Sequence, residues 1–180
     1  MSSFCRSTIP IVTRRLLMAN KSHLIETFTT MAEAALSKHG HLVWKWAENE
    51  KRTNKTLTIT RQNEDGFDVG VVCKTYGLYP TAGEWHGAPW DIGLGTTAES
   101  QAQDCLNFVR TLLCPDSRLK VLTRNGKPYR WRIEINDGKE WKLDHEVGLL
   151  FFRFFGRRSE VVFQNHHLPS RLTSPAQQSR

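Results

Sequence analysis

The chain reads as an α+β protein: a mainly antiparallel sheet of about eight strands, arranged in hairpins and a meander, with two helices packed on one face. Three observations lead there. Strand-like alternation comes in adjacent pairs joined by short turns, not interleaved with helices. Only two segments carry helical periodicity. The run Gly148 to Asn165 is dense in aromatic and β-branched residues around a Gly156-Arg157-Arg158 turn.

The first helix is expected over 22–38. Ser22 can cap it, and Leu24, Phe28, Met31 and Ala35 recur at helical spacing, with Gly40 as a stop. Residues 41–48 alternate Leu42, Trp44 and Trp46 against Val43, Lys45 and Ala47, and 56–61 turn Leu57 and Ile59 inward. After the turn Asn63-Glu64-Asp65-Gly66, a third strand carries Phe67, Val69, Val71 and Cys73 on one side. Residues 77–97 hold Gly77, Pro80, Gly83, Gly87, Pro89, Gly93 and Gly95 and read as a long loop. The second helix opens on a Thr96-x-x-Glu99 capping box, and its apolar face runs from Ala98 to Leu113 ahead of Pro115.

The rest reads as a meander. Strand 118–124 turns at Asn125-Gly126 into 127–135, because both positions of a type I′ hairpin turn need a positive φ. Asn136-Asp137-Gly138 leads to 139–144, and an aromatic strand 147–155 turns at 156–158 into 159–165. The aromatic strand is apolar on both faces, so both faces need cover. The second is expected to meet either the 77–97 loop or, in a homodimer, a second copy of the chain.

Charge and composition narrow the function classes. The net charge is +7, but Arg6, Arg14, Arg15, Arg171 and Arg180 lie in termini without acids. Without those five, 20 of the 25 basic residues face 18 acids, so the body is nearly neutral. Residues 1–17 resemble a transit peptide in composition; the reading preferred is a disordered leader, or translation starting at Met18. Residues 18–168 form one domain and 169–180 a solvated tail. No apolar run is long enough for a membrane helix. Cys5, Cys73, Cys105 and Cys114 lack Cys-x-x-Cys spacing and read as free thiols of a cytoplasmic protein.

Functional candidates concentrate in the 76–91 loop. Tyr76, Tyr79, Trp85 and Trp90 offer aromatic walls, and Glu84, His86 and Asp91 offer polar groups. Arg153 joins them as a charge in an otherwise apolar strand. The expected function is therefore a non-catalytic module binding a small ligand or a protein. One rival is an enzyme with an acid/base site at Glu84, His86 and Asp91. Another is a nucleic-acid-binding module using Arg118, Lys120, Arg124, Arg130 and Arg132 of the 118–132 hairpin. That patch is discounted, because Glu140, Lys142 and Asp144 of the next strand are expected to share its face and pair with Arg130 and Arg132. Dinucleotide-binding glycine, phosphate-loop, kinase and nucleophile-elbow motifs are missing, and His spacing does not suit zinc, so neither cofactor nor metal is expected.

Overall fold

The computed structural model describes residues 11–49, 54–74, 77–88, 97–148 and 156–172, with backbone alone for 11–22. Among them are two helices and nine strands in two antiparallel sheets, an α+β fold.

Helix α1 spans Ile11–Leu36, so Ser22, expected as its cap, falls inside it. Its inward stripe is Leu24, Phe28, Ala32 and Leu36, all buried. The spacing of four along this stripe keeps one face against the core. The first sheet follows in simple order: β1 (Trp44–Glu48), β2 (Lys55–Ile59), β3 (Val69–Lys74), β4 (Gly77–Ala82) and β5 (Trp85–His86). Leu57, Ile59, Val69 and Val71 are fully buried, as their alternation requires.

The expected 77–97 loop is corrected here: residues 77–86 form the β4–β5 hairpin. Pro80 fits because only a two-residue strand lies on β4's outer side, so little of the ladder needs its missing N–H. The Pro80 carbonyl still accepts from the Gly87 amide at 2.9 Å.

Helix α2 spans Ala98–Leu112 and packs beside α1 and over the first sheet. Its N-cap is Thr97, whose hydroxyl accepts from the Ser100 amide at 3.2 Å; Thr96, expected in that role, lies outside the described residues. His23 of α1 reaches Glu99 of α2 at 3.1 Å. Glu99 sits below the ordinary carboxylate range, first through a backbone hydrogen bond and then through His23.

The second sheet comprises β6 (Ser117–Arg124), β7 (Lys127–Asn136), β8 (Trp141–Gly148) and β9 (Arg158–Gln164), ordered β8-β7-β6-β9. The Asn125-Gly126 turn forms as expected, with φ of 50° and 74°. The expected antiparallel strands divide between two sheets, because α2 intervenes after β5 and β9 pairs with β6 in a separate four-stranded set. β9 pairs with β6, and the aromatic strand expected to form a hairpin with 159–165 has its residues 149–155 outside the described residues. The expected break at His145-Glu146 is absent, since β8 runs through both.

Trp85 ties the layers together. It is 1% exposed, and its ring lies 6.0 Å from Phe108 of α2 and 5.7 Å edge-on from His145 of β8. Asn165 ties the loops. Its side-chain oxygen accepts from the Phe67 amide at 3.0 Å, and its NH₂ donates to the Phe67 and Leu112 carbonyls at 3.0 and 3.1 Å. Gly66 is needed beside it, because a Cβ there would stand 2.8 Å from the Asn165 oxygen.

Candidate functional site

The inner face of the second sheet is only partly covered. Near β8 it meets Phe108 and Trp85. Toward the Asn125-Gly126 end it faces a cleft of about 450 Å³ instead. The cleft floor is Leu119 and Val121 of β6, Trp131 of β7, and Val161 and Phe163 of β9. These odd-numbered residues share one face because side chains alternate along a strand. The opposite wall is the β2–β3 loop with Phe67, and the turn after β4 with Gly83. Arg61, Asp68 and Glu84 add charge to the lining. Leu119 and Phe67 are buried, Trp131 and Phe163 half-buried, and Val161 is 45% exposed.

The loop wall is held in place by backbone bonds. The Asp68 carboxylate accepts from the Arg61 amide at 2.9 Å, and the Asp68 carbonyl accepts from the Gly83 amide at 2.8 Å. Opposite, Thr123 shares a 2.7 Å hydroxyl contact with Ser159, fixing β6 to β9 at the rim. The loop wall is therefore preorganised, and Asp68 keeps a second carboxylate oxygen for other partners.

Among the described residues of the 76–91 segment, Tyr79, Glu84, Trp85 and His86 fall in different surroundings. Glu84 lines the cleft. Trp85 is core. Tyr79 lies on β4 opposite Val72, with the Lys74 ammonium 4.6 Å above its ring. His86 ends β5 and is exposed; no hydrogen bond joins it to Glu84 among the described residues. Tyr76, Trp90, Asp91 and Arg153 lie outside the described residues, as do Leu149 to Phe155 of the expected dimer strand. Sequence reasoning missed Arg61, Asp68, Trp131, Val161 and Phe163 as site residues. The available signal was that two helices cannot cover the inward faces of every strand.

The basic hairpin is ion-paired along its outer face, but with other partners than expected. Arg118 meets Glu134 at 2.6 Å and lies 4.2 Å over the Trp141 ring. Lys120 reaches Glu134 at 3.4 Å and Glu160 at 3.8 Å. Arg130 and Arg132 both hold Glu146, at 3.5 and 2.5 Å. A bulge between Ile133 and Glu134 sets Leu143 opposite Glu134 and Lys142 opposite Ile135, which removes Lys142 and Asp144 from the expected pairing. Arg124 is 6% exposed and lies 5.5 Å from the Tyr129 ring.

A smaller cavity, about 250 Å³, lies by His39, Arg110, Cys114 and Arg171, where the chain end docks. Asp116 fixes that end, accepting from the Ser170 hydroxyl at 2.6 Å and the Arg171 amide at 2.5 Å. Burial pushes the Cys114 thiol up against the opposing pull of Arg171. Cys73 and Cys105 are also buried free thiols; burial pushes Cys73 up to about 12 and Cys105 upward as well. Among the described residues no group of three His, Cys, Asp or Glu could hold a metal ion, and no helix is long and apolar enough to cross a membrane.

Fold and geometry thus define a two-sheet α+β protein with an apolar cleft between a strand face and two loops. No protein-family model, curated protein or solved structure matches the chain.

Proposed function

We propose that this protein is a non-catalytic binding module whose ligand is a small, mainly apolar molecule seated in the cleft between the β4–β5 turn and the inner face of the second sheet. The observation that carries this reading is the cleft itself. At about 450 Å³ it falls within the ~300–1,000 Å³ usual for small-molecule sites. Its floor is aromatic and aliphatic, with three charged residues among its lining. Apolar walls supply affinity by burying ligand surface, and a few polar groups fix orientation. Gly83 and Glu84 are the described residues of the 76–91 segment that line the cleft, and most of its floor comes from β6, β7 and β9.

The test is a fluorescence titration with an anilinonaphthalenesulfonate dye, followed by a panel of small amphipathic compounds. Val161 is the residue to change, because it lines the cleft yet is already 45% exposed. Val161→Glu is expected to abolish dye binding while moving the melting temperature by no more than about 2–4 °C. Dye binding of equal strength in wild type and variant would contradict the proposal.

A further inference from the structure

The outer face of the second sheet is compensated along most of its length, and its charge excess collects at one end. Lys127 of β7, Arg124 of β6 and Arg158 of β9 are register partners and form one cross-strand row. Partners in such a row project to the same face about 5 Å apart, and like charges there repel. Arg157 adjoins the row. Lys127, Arg157 and Arg158 are exposed, and none has an acidic partner among the described residues. The contrast with Arg118, Lys120, Arg130 and Arg132, each held by Glu134 or Glu146, is direct.

This end is also built rigidly. The Asn125 side-chain oxygen accepts from the Arg157 amide at 3.0 Å, and the Asn125 amide donates to the Arg157 carbonyl at 3.0 Å. The β6–β7 turn and the chain entering β9 are thereby locked together. The positive φ of Asn125 and Gly126 keeps the turn tight beneath them.

We infer that Lys127, Arg157 and Arg158 form a contact surface for the phosphate backbone of a nucleic acid. Lys127 and Arg158 flank Arg124 in this row and Arg157 adjoins Arg158, so the three exposed cations are spread wider than one phosphate can reach and suit an anion with several charges. A nucleic-acid strand supplies such a series, and the guanidinium fork matches phosphate oxygens. Contacts of this kind position a strand without reading its bases. The surface lies on the face opposite the apolar cleft, so it is independent of the small-ligand proposal.

The experiment uses the full chain and a labelled oligonucleotide, titrated over a range of salt. One variant is Lys127→Gln/Arg157→Gln/Arg158→Gln. A control of equal charge loss is Lys38→Gln/Lys45→Gln/Lys139→Gln, all exposed and on other elements. The first variant is expected to weaken low-salt binding by at least about tenfold and to flatten the slope of log affinity against log salt by about 2 to 3. The control is expected to lose much less of both. Because the three replaced side chains are exposed, the first variant should melt no lower than wild type. Equal losses in both variants, no oligonucleotide binding by wild type, or a lower melting temperature in the first variant would each overturn the inference. So would wild type that binds phosphatidylcholine vesicles containing phosphatidylserine but not the oligonucleotide.

Discussion

The two sheets solve the same covering problem differently. In the first, α1 and α2 close the inner face, and Leu57, Ile59, Val69, Val71 and Leu78 are fully buried. In the second, α2 touches β6 and, through Phe108, His145 of β8, while β8 and β9 stay largely exposed. Both sheets follow the same period of two, so alternation alone does not separate core from site. What separates them is which face a helix reaches. Where helices reach, inward apolar residues become stability; where they do not, the same residue types line a cleft.

The contrast is broken most severely from the covered side. Phe28 has no exposed surface and stacks edge-on with Trp46 at 6.3 Å. Phe28→Ala is expected to cost about 3–5 kcal/mol in denaturant unfolding. A cost below about 1 kcal/mol would mean that α1 does not close the first sheet.

Asn165 comes next, since it joins the β2–β3 loop to the end of α2. Asn165→Ala leaves the Phe67 amide and two buried carbonyls without their partner, at an expected cost of about 2–4 kcal/mol. The same variant should loosen the loop wall of the cleft and weaken dye binding. A variant with wild-type stability would remove the clamp from the account.

A moderate, pH-dependent effect is expected at His167, which is 5% exposed. Burial lowers its pKa from 6.5, and His41 and His166 add to this. The unfolded chain therefore binds the proton more tightly than the folded one. The neutral ring's contribution is present above about pH 6.5 and is lost as pH falls below that value toward the folded pKa. Melts from neutral to mildly acid pH should show this decline, and His167→Gln should flatten it. An unchanged slope in the variant would assign the decline to other groups.

The smallest effect is expected on the outer face of the second sheet. Glu146→Gln removes the partner of Arg130 and Arg132, both partly exposed, and should cost about 1 kcal/mol or less. Its cost should shrink further in high salt, whereas that of Phe28→Ala should not.

The sequence made much of the framework legible. Alternation at Leu57 and Ile59, the stripe Leu24 to Leu36 and the Asn125-Gly126 turn all report local rules. The pairing of β9 with β6 was hidden, because a turn at 156–158 carries no information about which strand edge is free. The ion partners of Arg130 and Arg132 were hidden by the bulge, which shifts β8 by one residue. Asn165 gave no signal, since a single Asn near a strand end looks like a solvated turn residue. The cleft on which the proposed function rests was hidden for a similar reason. Trp85 and Trp131 are both tryptophans between charged or polar neighbours in the sequence, and only tertiary cover makes one core and the other a cleft wall.

That pair supplies the most direct test. Trp85→Ala and Trp131→Ala would be compared in denaturant unfolding and in the dye titration. Trp85→Ala is expected to lose about 3–5 kcal/mol. Trp131→Ala is expected to lose less than half as much and to abolish dye binding in a folded protein. Equal destabilisation by the two, or wild-type dye binding by Trp131→Ala, would contradict the assignment of the second sheet's inner face as a site.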